Sequence, residues 1–182
     1  MARVPDMTVA DLKEEDRDLL KRDIALHRAL TNSPNAARAF GGLGQFIRYK
    51  SVLDPRLREL AILQVGWLAR SPYEWSHHVK IGYDFGVSDD DIRALIAESA
   101  GQDSAIDPLA KLVLRAAREA YAGPGVSAAT YAALSAHFDH ERMVDLVLVI
   151  GFYCAVVRVL SSLDIQVEPD YQPYLEKYPL PG

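Results

Sequence analysis

Apolar residues recur every three or four positions along most of the chain, and no stretch shows the strict alternation of a half-buried strand. Segments rich in Pro, Gly and Asx interrupt this pattern and divide it into about eight predicted helices. The clearest of them cover residues 16–31, 56–69, 72–85, 108–122 and 140–163. The pattern predicts an all-α helical bundle in one domain, residues 1–182.

Several predicted helices begin directly after a residue whose side chain commonly caps a helix, and in some of them proline follows at the first helical position. These side chains can accept a hydrogen bond from the first turn, so they predict where the helices start. The predicted cap residues are Asp54, Ser71, Ser88, Asp107, Ser127 and Asp139.

The helix predicted after Pro34 contains three glycines, Gly41, Gly42 and Gly44. Each glycine inside a helix is less favourable than alanine by about 1 kcal/mol. The three glycines therefore indicate either close packing against a neighbour or the wall of a pocket.

The longest apolar run covers residues 146–157 and is flanked by Asp145 and Arg158. It is shorter than the about 20 residues that span a bilayer, so we interpret it as a core or interface helix. The segment 166–182 is rich in Pro and Tyr, and we expect this tail to pack on its own domain or on a neighbouring subunit.

Composition and charge exclude several classes of function. The chain has 25 acidic and 20 basic residues, and its Lys and Arg form no continuous stripe, so nucleic acid is not an expected partner. The first residues reach a charged segment without an apolar stretch, which favours a cytoplasmic protein without a secretory signal or a membrane partner. The single cysteine, Cys154, excludes an intrachain disulfide and a Cys-x-x-Cys pair, and we expect it to be an inert buried thiol.

Glu74 and His78 are the clearest candidates for chemistry. They are four residues apart in a predicted helix, so their side chains lie on one face and are able to touch. A carboxylate beside an imidazole raises the pKa of the histidine and orients its ring, as a general acid or base requires. The alternative is an ordinary surface pair. His77 points about 100° away around the helix, so we assign it to solvent or to an interface.

The pattern around these histidines does not favour a metal site. His-Glu-x-x-His, a common arrangement of zinc ligands on a helix, does not occur in the chain. We therefore predict no metal.

Three segments together resemble the carboxymuconolactone decarboxylase family, which includes the AhpD-like alkylhydroperoxidases. They begin at Arg58-Glu59, at Tyr73-Glu74 and at Gly86, and the resemblance runs from about residue 20 to 165. The alkylhydroperoxidase branch has Glu, Cys, Cys and His at successive spacings of 12, 3 and 4. This chain keeps the register with Glu59, Ser71, Glu74 and His78, so both sulfurs are absent.

The decarboxylase branch characteristically has a carboxylate and a histidine in this register, as Glu74 and His78 are here. The resemblance implies an AhpD-like bundle and a cofactor-free lyase acting on a small carboxylated lactone or a related ring-cleavage acid. His78 would be the acid, Glu74 would orient it, and Glu59 would be a second proton carrier or a supporting group. The predicted substrate-binding residues are Arg48, Ser71, Tyr73 and Trp75.

Other functions fit the same residues. A different C–C lyase, a hydratase or an isomerase can use the same Glu–His pair. Hydroperoxide reduction is the activity of the related branch, and the missing cysteines argue against it. A non-catalytic binding protein is the third alternative. The resemblance also implies a homo-oligomer, a trimer or a hexamer.

Overall fold

The computed structural model describes residues 2–181. This part of the chain contains nine α-helices, three short 3₁₀ segments and no β-strand. The α-helices are α1 (Ala25–Leu30), α2 (Pro34–Tyr49), α3 (Pro55–Leu68), α4 (Pro72–Asp84), α5 (Asp89–Ser99), α6 (Pro108–Ala122), α7 (Ala128–Ser135), α8 (His140–Leu163) and α9 (Gln172–Lys177). The 3₁₀ segments are Val9–Asp11, Glu14–Leu20 and Pro169–Tyr171. The predicted all-α fold is confirmed.

Helix α3 is the centre of the bundle. It packs against α4, α5, α6 and α8, and every residue from Leu57 to Gly66 is buried. A helix enclosed on all sides is expected to be apolar all round. Arg58, Glu59 and Gln64 break that rule, and a buried charge requires a partner.

The predicted helix starts are confirmed by their hydrogen bonds. Each of the six predicted cap side chains accepts a hydrogen bond from the backbone N–H three residues later. These caps satisfy amide groups that the first helical turn leaves without partners, and each is worth about 1 kcal/mol.

The predicted helix over residues 16–31 is wrong. The chain instead forms a 3₁₀ segment at Glu14–Leu20, passes through extended backbone at Ile24, and begins α1 at Ala25. The backbone N–H of Ala25 donates to Glu168 Oε1 at 2.6 Å. The start of α1 is therefore fixed by a carboxylate 143 residues away in sequence, which local periodicity does not reveal.

Helix α8 has 24 residues and is longer than the apolar run that predicted it. By length and composition it is the one helix in residues 2–181 that could cross a membrane, and half of its most apolar window is buried inside the protein. It packs against α3, α6 and α7. On its other side Val144, Val147 and Leu148 are exposed.

The Pro/Tyr-rich tail packs on α4 of its own domain. Trp75 Nε1 on α4 donates to the main-chain oxygen of Tyr178 at 2.8 Å, and the Tyr178 ring is buried. Lys177 Nζ contacts Asp89 Oδ2 at 2.7 Å. The tail thus contributes to the structure around the predicted site.

Candidate active site

The imidazole of His78 lies between two carboxylates, one at each ring nitrogen. Nδ1 is hydrogen-bonded to Glu59 Oε2 on α3 at 2.7 Å, and Nε2 is 3.0 Å from Glu74 Oε1 on α4. All three side chains are buried. The structure therefore brings together the three residues that the sequence predicted as catalytic.

The two carboxylate contacts differ in kind. The contact with Glu59 is a hydrogen bond, whereas Glu74 Oε1 accepts no hydrogen bond despite its short distance to Nε2. Glu59 therefore fixes the ring through Nδ1, while the proton on Nε2 is not committed to a hydrogen bond. Glu74 and His78 both line a cavity, so this proton is at the cavity wall.

The electrostatics of the site keep His78 protonated at neutral pH. Burial alone would lower the pKa of His78, but the charges of Glu74 and Glu59 outweigh it and raise the pKa to about 9. Burial would likewise raise the pKa of Glu59, but the His78 imidazolium and then Arg58 lower it. The resting pair is an imidazolium and a carboxylate.

Arg58 holds Glu59 from the other side, a role that the sequence analysis did not assign. Its Nε donates to Glu59 Oε1 at 3.1 Å, and its Nη1 donates to the main-chain oxygen of Arg48 at 3.2 Å. The guanidinium carbon lies 4.4 Å from the centre of the Phe85 ring. The two buried cations, Arg58 and His78, balance the two buried carboxylates.

The cavity beside His78 has a volume of about 120 Å³. Residues of α1, α2, α4 and α8 form its wall together with two residues that precede α1. A closed cavity of about 150 Å³ holds one benzene molecule, so this cavity is slightly smaller than that needed to enclose one ring. Its polar lining residues are Arg22, His27, Gln45, Arg48, Tyr73, Glu74, His77, His78 and Tyr153.

Two arginines line this cavity. Arg48 was predicted from sequence, and Arg22 was not, because it falls in the stretch that was predicted as helix. Within residues 2–181 neither guanidinium has a carboxylate within 4.0 Å. Both are therefore available to an anionic ligand.

His27 is a further cavity residue that the sequence did not reveal. Its Nδ1 donates to the main-chain oxygen of Arg22 at 2.9 Å. Burial lowers the pKa of His27, and the charges of Arg22 and Arg48 lower it further. At neutral pH the ring is neutral, with its proton on Nδ1.

The assignment of His77 to solvent or an interface is wrong. His77 is buried and lines the same cavity as His78. Its ring is stacked between Tyr73, at 4.0 Å, and Tyr171, at 3.5 Å, and its Nε2 is 2.8 Å from Glu168 Oε2. Burial lowers its pKa more than Glu168 raises it. The tail covers this face of α4, so the face is not exposed as the helical wheel suggested.

The structure separates the predicted substrate-binding residues. Tyr73 lines the cavity, and its hydroxyl donates to Glu168 Oε1 at 3.3 Å. Trp75 is fully buried and lies in the core, with its ring centre 5.1 Å from that of Trp67. Ser71 caps α4 through Glu74 N and lines a different cavity. Neither Trp75 nor Ser71 is a lining residue of the His78 cavity.

Residues 2–181 contain no group of three or more His, Cys, Asp or Glu side chains arranged to hold a metal ion. Cys154 on α8 is half-buried, whereas a buried thiol was expected, and it is not a lining residue of the cavity. Burial raises the pKa of its thiol, which disfavours the nucleophilic thiolate.

The sequence model of the carboxymuconolactone decarboxylase family matches residues 34–119, from the start of α2 into α6. This segment contains Arg48, Glu59, Glu74 and His78. No curated protein is significantly similar to the chain.

Solved structures share the fold. An AhpD-core, peroxidase-related protein from Ralstonia eutropha JMP134 is 19% identical with a TM-score of 0.78, over 96% of this chain and 95% of that one. A peroxidase-related protein from Silicibacter sp. TM1040 is 18% identical with a TM-score of 0.73, over 93% and 94%. The debrominase Bmp8, in complex with 2,3,4-tribromopyrrole, is 18% identical with a TM-score of 0.70, over 91% and 94%. At these identities the similarity shows an AhpD-like fold.

Proposed function

We propose that the chain is a cofactor-free lyase of the carboxymuconolactone decarboxylase family, whose sequence model matches residues 34–119. It acts by acid–base chemistry on a small carboxylated lactone or a related ring-cleavage acid. One observation carries the proposal: a histidine imidazolium, fixed by one buried carboxylate and close to a second, lines a small cavity together with two arginines.

Substrate binding is assigned to the cationic and apolar parts of the cavity. Arg48 and Arg22 attract the anionic substrate, and Arg48 lies on the same cavity wall as the apolar residues of α2. The limited volume selects a molecule of about the size of one ring. Because Glu74 and His78 are themselves buried, their charges act at a lower dielectric than water and are effective.

Decarboxylation requires the substrate to accept electrons and then a proton. When CO₂ departs, the electron pair of the broken C–C bond moves onto the conjugated carbonyl of the substrate and forms a dienolate. The arginine cations stabilise this developing negative charge. His78 then donates the proton on Nε2 to the carbanion carbon, and solvent returns a proton to the ring.

The protonation state of His78 favours this acid role over that of a base. With a pKa of about 9 the ring carries its proton at neutral pH, whereas a hydratase or isomerase that begins by proton abstraction needs the neutral ring. Hydroperoxide reduction by the AhpD route needs two thiols, and Ser71 and Glu74 occupy those positions in the register. A lyase that uses His78 as its acid is therefore the function that the site supports best.

The test is a turnover screen of purified protein against carboxylated lactones and ring-cleavage acids, with CO₂ release as the readout. His78→Gln is compared with His137→Gln, a matched change at an exposed histidine. We expect turnover to fall at least about 100-fold in the first variant and to persist in the second. In wild type it should decline as the pH rises through 9.

Two outcomes would contradict the proposal. One is full turnover in the folded His78→Gln variant, which would place the acid elsewhere. The other is thiol-dependent hydroperoxide reduction by wild type, in a parallel assay, without any lyase turnover.

The exposed apolar face of α8, formed by Val144, Val147 and Leu148, supports a second part of the proposal. Contiguous exposed apolar residues on a folded protein mark sites of association. We infer that this face mediates homo-oligomer formation.

A further inference from the structure

Two glycines of α2, Gly41 and Gly44, leave open space on the cavity wall. A Cβ atom built on either glycine has no heavy atom within 4 Å. Gly66 and Gly82 differ, because their Cβ atoms would lie 3.3 Å from Trp75 N and 3.2 Å from Val87 Cβ. Packing explains the glycines of α3 and α4 but not those of α2. Since glycine inside a helix is destabilising relative to alanine, α2 maintains this open surface against its own helix propensity.

The glycines share one face of α2 with Arg48. Residues three and four apart lie on the same side of a helix, so positions 41, 44 and 48 form a stripe, and all three line the cavity. With a rise of 1.5 Å per residue, the two glycines are about 4.5 Å apart along the axis and Arg48 is about 6 Å further on. The stripe is therefore a bare surface about as long as one small ring, with a cation at its end.

Two polar groups on the cavity wall, the buried Glu74 and the half-buried Arg48, indicate a binding site for a ligand. Only 3% of the Glu74 surface is exposed, and its Oε1 accepts no hydrogen bond. Arg48 has no carboxylate partner within residues 2–181. Polar groups are normally satisfied in a folded protein, so an occupant whose carboxylate pairs with Arg48 explains this guanidinium together with the glycines.

We propose that Gly41 and Gly44 determine specificity by admitting a flat ring against the main chain of α2. The ring lies over the two glycines, its carboxylate reaches Arg48, and its edge faces His78 and Glu74. The rings of Phe40 and Phe152, 4.9 Å apart, line the same cavity with apolar surface. The proposal rests on the proposed function only in taking this cavity as the reaction site.

Ligand binding tests the proposal without turnover. The probes are benzoate, which is flat, cyclohexanecarboxylate, which has the same carbon skeleton but is thicker, and acetate, which has no ring. Calorimetry measures the dissociation constant of each for wild type, Gly44→Ala and Gly42→Ala. Gly42 is the matched control, because it lies in the same helix, its added Cβ also meets no atom, and it does not line this cavity.

We expect wild type to bind benzoate at least about fivefold more tightly than cyclohexanecarboxylate. Gly44→Ala should weaken benzoate binding by at least about fivefold, since a methyl group occupies about 30 Å³ of this cavity. Acetate binding should change by less than about twofold in the same variant, and Gly42→Ala should leave all three constants unchanged. An unchanged or raised melting temperature shows that Gly44→Ala is folded.

Unchanged benzoate binding in folded Gly44→Ala would overturn the proposal, and so would equal binding of the flat and the thick ring to wild type. Absence of benzoate binding to wild type would overturn it as well. The proposed function fails on different evidence, namely the lack of His78-dependent turnover, so the two failures are distinguishable.

Discussion

Replacing Glu59 by glutamine is the most direct perturbation of the buried pair. Glu59→Gln keeps the shape of the side chain and an oxygen for His78 Nδ1, but it removes the negative charge that Arg58 and His78 share. The imidazolium is then left with Glu74 alone, and Arg58 loses its carboxylate partner. Both changes disfavour the protonated form of His78.

The expected magnitude follows from the pKa of His78. A pKa of about 9 instead of the usual 6.5 corresponds to about 3 kcal/mol of preference for the imidazolium in the folded protein. This stabilisation is fully present below pH 6.5 and is lost as the pH rises through 9, because the folded pKa is the higher one. Loss of one carboxylate at hydrogen-bond distance should lower the pKa of His78 by about 2 units.

Two measurements check this prediction. NMR titration of the histidine ring protons gives the pKa of His78 directly. Urea unfolding at pH 6 and at pH 9.5 gives the free energy of unfolding, which should fall by about 3 kcal/mol between these values in wild type and by much less in Glu59→Gln. At pH 6 the variant should be less stable than wild type by about 3 kcal/mol.

Glu168→Gln is the matched control, since Glu168 is the carboxylate partner of the neighbouring His77. This variant should leave the titration of His78 and the pH dependence of stability as in wild type. If His78 in Glu59→Gln still titrates near 9, Glu59 does not hold the imidazolium charge and the reasoning is refuted.

Two further predictions concern groups outside the buried pair. Ser71→Ala removes the cap of α4 and should lower the free energy of unfolding, measured in urea, by about 1 kcal/mol. The KM for the screened substrate should be unchanged. A raised KM would show that Ser71 contributes to substrate binding. Leu148→Glu places a charge on the exposed apolar face of α8 and should prevent association. The mass measured by light scattering should then fall to the monomer's 20.2 kDa. A wild-type protein that is already monomeric would contradict the proposed association.

Local sequence signals predicted much of the fold. Cap residues such as Asp54 and Ser127 act within one turn, so they mark helix starts reliably. The helix predicted over residues 16–31 failed for the opposite reason. The start of α1 depends on Glu168, and no window around residue 25 contains that carboxylate.

The candidate site was predictable in part. Spacing on one helix identified the contact between Glu74 and His78, and the family register added Glu59 from another helix. Burial was not predictable in the same way. His77 is covered by Glu168 and the tail, a contact between residues about 90 positions apart, so its helical angle alone gave the wrong environment.

Residue type alone could not show which aromatic side chains line the cavity and which lie in the core. Trp75 and Tyr73 are both aromatic, both buried and only two residues apart, yet only Tyr73 lines the cavity. The sequence did not predict Arg22 as a cavity residue. It indicated a helix over this stretch, whereas the chain is extended just before α1 and Arg22 lines the cavity.

The contact between Arg58 and α2 has an evolutionary consequence. Arg58 anchors α2 through the main-chain oxygen of residue 48, an atom that every amino acid supplies. Side chains on the open face of α2 can therefore be exchanged without removing a bond from the support of Glu59. In the proposed function, Arg48 and the glycines of α2 bind the substrate and His78 of α4 donates the proton, so single substitutions in α2 are expected to change the substrate and to leave the acid unchanged.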